Sequence, residues 1–374
     1  MKAILYTGFL VLLWLINLLN GTGLGEAYHT TELARIAALL IALVLLYKDT
    51  YRRRGCYVPM RYFLVGLPLL TVFILVSQFN GYGWIALEYL WVFLVVYILS
   101  HTRPNRQTLY LVGIAYAVLG FAILYIFNYM DALSGWNKNS IAMIGLFSYL
   151  VFTIPFYGVQ DWKSVFMLLL VGGAYTALIW PTDSRSCIIA VVFSWLVVFR
   201  ILPLEKILGS NSIFLFALQV PLIIAAVGCL VAMNADVAVL DEWSVSELGK
   251  PFFNGRDTIW LDAFRGLKDH WLLGTGYIDS GIYHNSAMAC LVAYGAAGYT
   301  LWILLLHVIL KEALPYRRNI CVGGSLSAFL IIFWQQSVEL GVFATSPNLL
   351  PYIILGLMLG RVNGLKEEVC QKSA

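Results

Sequence analysis

The residues best suited to chemistry lie between positions 254 and 298, where a long polar stretch gives way to apolar sequence. Arg256 and Arg265 precede His284 there. Arginine keeps its positive charge, and its planar fork matches the oxygens of a phosphate group. A neutral histidine can accept a proton from a reacting hydroxyl group. These residue types predict a site that holds an anion beside a general base.

A further arginine, Arg185, resembles Arg256 in its setting. Arg185 follows Pro-Thr-Asp-Ser and Arg256 follows Asn-Gly, so each stands at the start of a predicted helix. Either one could bind phosphate oxygens in a bidentate manner. The alternative is a purely structural arginine that snorkels or forms an ion pair, with Asp183, Asp257 or Glu339 as the partner.

His284 opens the tenth apolar run from its predicted outer side. The positive end of a helix dipole disfavours a charged imidazole there, which favours the neutral ring that a general base requires. The alternative is an interfacial histidine that only hydrogen-bonds a carbonyl of the loop. Both interpretations remain open at this stage.

Three other charges lie within or beside apolar runs. Arg35 and Glu88 stand about one turn inside predicted spans, and Glu339 lies near the outer end of the eleventh. Because a charge at the bilayer centre costs about 2.5–3.5 kcal/mol, we expect these groups to lie in one layer near the outer face and to support the site. A structural pair between Arg35 and Glu88 is an equal alternative.

Metal binding is not indicated by the acidic residues. Asp183, Asp257 and Asp279 show no recognisable ligand spacing. The sequence predicts neither a metal nor a cofactor.

The composition places these residues in a polytopic membrane protein. The 374 residues are 61% hydrophobic and 12% charged, whereas soluble domains carry about 25% charged residues. Runs of about 20 apolar residues can cross a bilayer. We predict one all-α transmembrane domain over 1–374, with twelve spans at 3–20, 32–47, 61–79, 84–100, 108–127, 139–157, 164–181, 185–201, 213–233, 284–307, 321–341 and 349–363.

The distribution of lysine and arginine predicts the orientation of these spans. One set of alternate connections, with both termini, holds 17 of the 24 cations, and the other set holds 7. The richer side should be cytoplasmic. Both termini are then inside, and the large loop 234–283 is outside. Since topology accounts for the cations, the net charge of +4 gives no sign of a nucleic-acid partner.

The outer loop contains a short amphipathic pattern. Trp260, Phe264, Leu267 and Trp271 recur at spacings of three or four residues, which predicts a helix over 260–271. Such a helix would lie along the outer membrane interface or pack on the bundle of spans.

At these motifs the chain resembles the O-antigen ligase and polymerase superfamily of bacterial envelope enzymes. The resemblance lies in His284-Asn285, Gly295-Ala-Ala-Gly298, Asn254-Gly255-Arg256 with Trp260, Gly274-Thr-Gly276 and Ser184-Arg185. The motifs occupy residues 184–186 and 254–298. Their order, the large outer loop before the histidine and the twelve-span layout also match this superfamily.

The resemblance implies a metal-independent, GT-C-like membrane glycosyltransferase of the bacterial cytoplasmic membrane. Such an enzyme moves a glycan from a polyprenyl diphosphate to an acceptor hydroxyl on the extracytoplasmic side. Arg185 and Arg256 would hold the diphosphate, with Arg265 as a further contact. His284 would deprotonate the acceptor. The resemblance also allows for a chain-length regulator as a protein partner.

The resemblance leaves the acceptor open. A polymerase passes the glycan to another lipid-linked repeat unit, and the absence of an evident element devoted to lipid A core favours this interpretation. A ligase passes the glycan to lipid A core. A flippase for lipid-linked sugars is a third possibility from another class, but a transporter is expected to place its charges near the bilayer midplane.

Overall fold

The structure is a computed structural model that describes residues 2–20, 40–41, 60–82, 86–130, 136–207, 209, 211–234, 237–249, 251–276, 283–344 and 347–373. The secondary structure in these ranges is helical. The main helices are α1 (Lys2–Asn20), α2 (Met60–Phe79), α3 (Leu87–Ser100), α4 (Arg106–Tyr129), α5 (Lys138–Thr153), α6 (Trp162–Ile179), α7 (Arg185–Val198), α8 (Asn211–Asn234), α9 (Val237–Leu248), α10 (Arg256–Gly266), α11 (Ser286–Ala313), α12 (Ile320–Gln335) and α13 (Leu349–Ser373).

Six helices in the described ranges are long and apolar enough to cross a membrane: those that begin at residues 106, 138, 162, 212, 286 and 349. Shorter apolar helices occupy Tyr6–Leu19, Leu64–Phe79, Leu87–Ser100, Arg185–Val198 and Ile320–Gln335. Each predicted apolar run other than 32–47 therefore contains a helix. The run 32–47, with Arg35, lies outside the described residues apart from positions 40 and 41. The chain is a helical protein with the composition of a membrane protein.

The helices form one bundle with an aromatic core. Helix α11 packs on α2, and α13 packs on α3 and α12. Phe73 of α2 stacks on Tyr294 of α11 with ring centroids 4.0 Å apart, and Phe343 meets both rings edge-on. These contacts fix the end of the bundle at which α11 begins.

The eleventh predicted span is too long. Helix α12 ends at Gln335, and residues 336–344 form turns and bends instead of continuing to 341. The Gln336 side chain explains this end, because its Oε1 accepts hydrogen bonds from the backbone of Val342 and from Ser286 Oγ. Glu339 consequently lies on the connection after α12 and not on a span.

The predicted helix over 260–271 begins earlier and ends before Trp271. Helix α10 covers Arg256–Gly266, and a 3-10 turn follows over Leu267–Asp269. Trp260 is only 2% exposed and packs with Ala263 and Leu267 against α8 and α11. Trp271 lies beyond the helix and is 62% exposed. Of the two interpretations left open, the helix packed on the bundle is correct.

Helix α11 is broken at Gly295, where φ is 61° and ψ is −169°. Two backbone donors after the break, Ala296 N and Ala297 N, bond to the carbonyls of Trp271 and Leu272. The carbonyls that these donors would otherwise reach belong to Val292 and Ala293, and they accept from Thr275 N and Gly276 N. We call residues 271–276 the inserted segment, since its backbone replaces the missing turn of the helix.

Glycine is required at this junction because the two backbones touch. A Cβ atom on Gly295 would lie 2.3 Å from the carbonyl carbon of Leu272, and one on Gly274 would lie 2.5 Å from that of Ala293. Both residues have positive φ. The Gly274-Thr-Gly276 motif and the first glycine of Gly295-Ala-Ala-Gly298 therefore have a structural function.

Candidate active site

Two helices place an arginine in one cavity. Helix α7 begins with Arg185 and α10 begins with Arg256. Both side chains line a cavity of about 280 Å³, close to the lower limit of small-molecule sites, about 300–1,000 Å³. The lining also includes Asn139, Asp183, Ser184, Ser186, Ile189, Pro251, Phe252, Asn254, Val338 and Glu339.

Local backbone geometry explains how the helix starts point into the cavity. Asp183 has φ 62° and ends the 3-10 turn Trp180–Thr182 immediately before α7. Asn254 and Gly255 have φ 52° and 78° before α10. Asparagine, aspartate and glycine tolerate this left-handed region best. The predicted turns at Pro-Thr-Asp-Ser and Asn-Gly are confirmed.

Three helix N-termini converge on the cavity, because Asn139 in its lining belongs to the first turn of α5. The side chain of Asn137 caps α5, whereas neither Ser184 nor Gly255 makes a side-chain cap for α7 or α10. The positive ends of helix dipoles favour an anion. This arrangement adds to the charge of the two arginines.

Arg256 is held loosely in this cavity. Its Nη2 lies 3.4 Å from Glu339 Oε1, whereas charge-assisted hydrogen bonds are usually about 2.7–2.9 Å long. Its Nε is buried and has no hydrogen-bond partner among the described residues. Burial lowers the pKa of Arg256, and Glu339 acts in the opposite direction. The guanidinium is thus a cation with donors to spare.

His284 joins this group through Glu339. Its Nδ1 lies 3.6 Å from Glu339 Oε2, and its side chain is about one-third exposed. If Nδ1 carries the ring proton, Nε2 becomes the free acceptor that a general base needs. His284 does not open the helix, because α11 begins at Ser286 with Asn285 as its N-cap. Its φ of 44° is strained for a residue with a side chain.

Asn285 fixes the backbone beside His284. Its Oδ1 caps α11 by accepting from Met288 N, and its Nδ2 donates to the carbonyls of Pro221 and Ser337, at 2.8 Å each. The amide is fully buried, with its donors and acceptor in use. The asparagine of the His284-Asn285 motif is therefore a structural residue.

A buried polar chain links the arginine and histidine elements. Gln335 donates to Ser186 Oγ at 3.1 Å and accepts from Gln336 at 2.6 Å. Gln336 in turn accepts from Ser286 Oγ at 3.1 Å. This row of hydrogen bonds was not predicted from the sequence, although two adjacent glutamines in an apolar run were a visible signal.

The remaining predicted site residues lie elsewhere. Arg265 is 75% exposed, pairs with Asp262 at 3.1 Å and does not line the cavity. Glu88 is half-buried in the first turn of α3 and is also absent from the lining. Among the predicted residues, the structure thus brings together Arg185, Arg256 and Glu339, with His284 beside Glu339.

Comparison with known proteins adds no relative. No protein-family model matches the chain, and no curated protein matches it.

Proposed function

We propose that this chain is a membrane glycosyltransferase of the O-antigen ligase and polymerase type, acting as a polymerase of bacterial surface polysaccharide. It would transfer a glycan from a polyprenyl diphosphate to a hydroxyl group of another lipid-linked repeat unit. The observation that carries the proposal is that Arg185 and Arg256 line one cavity while Glu339 connects Arg256 to His284.

The chemistry follows from the charges. The acceptor oxygen attacks the anomeric carbon, the bond from that carbon to the phosphate oxygen breaks, and polyprenyl diphosphate leaves. Fixed positive charge stabilises the departing anion. Arg185 and Arg256 supply this charge, while His284 Nε2 takes the proton of the acceptor hydroxyl.

The proposed topology has twelve spans in the cytoplasmic membrane, both termini inside and the loop 234–283 outside. The charge bias of 17 to 7 supports this orientation. The cavity is lined from connections assigned to one side, such as those before Arg185 and Arg256. Ion pairs such as Arg103–Glu367 join elements assigned to the other side.

A flippase for lipid-linked sugars fits these observations less well. The charged groups of the cavity lie on helix starts and on the connection after α12. Transporters commonly place such groups on broken helices near the bilayer midplane. The break in α11 is filled by the backbone of the inserted segment, whose residues 271–276 carry no charged side chain.

The deciding experiment supplies purified protein in detergent with only its lipid-linked repeat unit. We expect a ladder of longer lipid-linked glycans that persists in EDTA, and no ladder with His284→Ala. Transfer to added lipid A core without any ladder would contradict the polymerase proposal and support a ligase. Absence of transfer to either acceptor from an authentic donor would refute the proposal that the chain is a glycosyltransferase.

A further inference from the structure

The charges that line the cavity balance one another. Arg185 and Arg256 are matched by Asp183 and Glu339. A diphosphate that binds Arg256 must therefore compete with Glu339, whose side chain is only 7% exposed. Because a buried carboxylate without a partner is costly, Glu339 needs another donor once its arginine is taken.

His284 is within reach of the same carboxylate. Glu339 presents Oε1 to Arg256 at 3.4 Å and Oε2 to His284 Nδ1 at 3.6 Å. Both distances exceed that of a strong charge-assisted hydrogen bond by about 0.5 Å or more. A small movement of the carboxylate would shorten one contact and lengthen the other.

The position of Glu339 suits such a movement. It lies on the bends that follow α12, between Gln336 and Val342, which are held by side-chain hydrogen bonds. The flanking backbone is thereby anchored on both sides. The carboxylate between these anchors can reorient without moving a helix.

We propose that Glu339 is a positioning residue that couples donor binding to the general base. When a diphosphate monoester accepts hydrogen bonds from the N–H groups of Arg256, the Glu339 carboxylate loses that donor. It then accepts a hydrogen bond from His284 Nδ1–H instead. This step deepens the proposed function and rests on it. Its consequence is an ordered reaction in which the histidine is aligned only after the glycan donor has bound.

The proton balance is simple. Glu339 remains a carboxylate throughout, and Nδ1 of His284 keeps its proton. Nε2 gains the proton of the acceptor hydroxyl as the new glycosidic bond forms, and the carboxylate stabilises the resulting imidazolium. A carboxylate that orients a histidine in this manner has its best-known parallel in the serine protease triad.

The charged groups beside His284 and in the cavity come from three elements. Glu339 follows α12 and lies beside His284, Arg256 begins α10, and Asp183 and Arg185 lie before and at the start of α7. Asp257 follows Arg256 in the first turn of α10. Glu339 connects Arg256 and His284 through one carboxylate.

The test uses the full chain in lipid nanodiscs with ¹⁵N-labelled histidine. The probes are farnesyl diphosphate and inorganic pyrophosphate, and His284→Gln assigns the His284 signal. We expect either probe to move the Nδ1–H proton of His284 downfield. Glu339→Gln should abolish this response while retaining probe binding, and Arg256→Gln should show the downfield proton without a probe. Lys268→Gln, an exposed charge on the same loop, is the matched control and should respond like the unmodified chain.

The outcomes separate the two proposals. Probe binding with the same His284 response in Glu339→Gln would overturn the coupling and leave the diphosphate site intact. Absence of probe binding to the unmodified chain would overturn the diphosphate site and the coupling together. A response to farnesyl diphosphate alone would support the coupling and assign it to lipid-borne diphosphate. If Glu339→Gln disturbs folding, Glu339→Asp takes its place as the test, because it keeps the charge with a shorter reach. Glu339→Asp should retain part of the response.

Discussion

The two ends of the bundle hold their charges in different ways. At the cavity end, Arg256 and His284 share Glu339 at 3.4 and 3.6 Å. The other end, which we call the distal end, includes shorter ion pairs, namely Arg103–Glu367 at 2.6 Å, Lys366–Glu312 at 2.8 Å and Arg361–Glu368 at 2.9 Å. Glu312 lies 26 residues along α11 from Ser286, which corresponds to about 39 Å of helix.

One arginine from each end shows what this difference means. Arg103 donates to both oxygens of Glu367, at 3.1 and 2.6 Å, and to the carbonyls of Ser100 and Thr102. Arg256 makes one long contact, at 3.4 Å to Glu339. A buried Nε without a partner in the described residues is common to Arg256 and to Arg361 of the distal end, so it does not separate the two ends. An arginine with short contacts to a carboxylate stabilises a fold, whereas one held at a longer distance keeps donors that can bind a ligand.

The largest expected effect tests this contrast directly. Arg256→Ala should lower transfer by more than about 100-fold, because it removes a preorganised donor to the leaving group. Arg103→Ala should instead lower the free energy of unfolding by about 2 kcal/mol, with normal turnover of the folded fraction. Glycan-ladder assays and thermal unfolding measure the two quantities. Equal losses of turnover in both variants would contradict the assignment of the two ends.

The next effect concerns the junction that supports the cavity end. Gly295→Ala should destabilise the chain by about 1–3 kcal/mol, since it forces a side chain into left-handed backbone against Leu272. Gly173→Ala is the matched control, because Gly173 is helical and a Cβ atom there meets nothing within 4 Å. That variant should be stabilised by about 0.5–1 kcal/mol. Thermal unfolding in one detergent would compare them, and an equal melting temperature would disprove the close contact.

A smaller effect is expected for Arg265. Because it is exposed and paired with Asp262, Arg265→Gln should lower kcat/KM by less than about threefold, in line with the small worth of surface ion pairs. Steady-state kinetics with the lipid-linked donor would measure it. A loss as large as that of Arg256→Ala would restore the prediction from sequence that Arg265 contacts the diphosphate.

The smallest effect belongs to Asp161, which caps α6 by accepting from Ser164 N at 2.9 Å. This hydrogen bond lowers the pKa of Asp161 from its ordinary value of 3.8. The folded pKa is depressed, so the stability it adds is present above the unfolded pKa and is lost as pH falls through the folded value. The difference in melting temperature between the native chain and Asp161→Asn should therefore shrink below about pH 4. A difference that stays constant with pH would exclude the charged cap.

Much of the fold could be predicted from the sequence because apolar runs and their breaks are local signals. The turn before Arg185, with its proline and aspartate, ended one helix and began another as expected. The predicted end at residue 341 was wrong because a tertiary contact stops α12, namely the bond from Ser286 to Gln336. Hydropathy alone carries no information about that contact.

In the candidate site, too, local features could be predicted from the sequence and tertiary contacts could not. Arg185, Arg256 and His284 were visible because their residue types suit the chemistry and they stand at helix starts or an apolar boundary. The sharing of Glu339 was not visible, because it depends on the bends after α12 that bring one carboxylate to two elements. The break at Gly295 was missed for a similar reason, since its replacement hydrogen bonds come from about twenty residues earlier in the chain.

The exchange of hydrogen bonds between α11 and the inserted segment makes the loop and the helix mutually dependent. Neither segment can keep all its backbone groups hydrogen-bonded without the other. A peptide group without a hydrogen-bond partner in an apolar setting costs several kcal/mol. Chimeras that swap residues 254–276 for the loop of another protein should therefore fold only if residues 286–298 are swapped with them. In evolution, the segment bearing Arg256 and the helix that follows His284 would be inherited as one module.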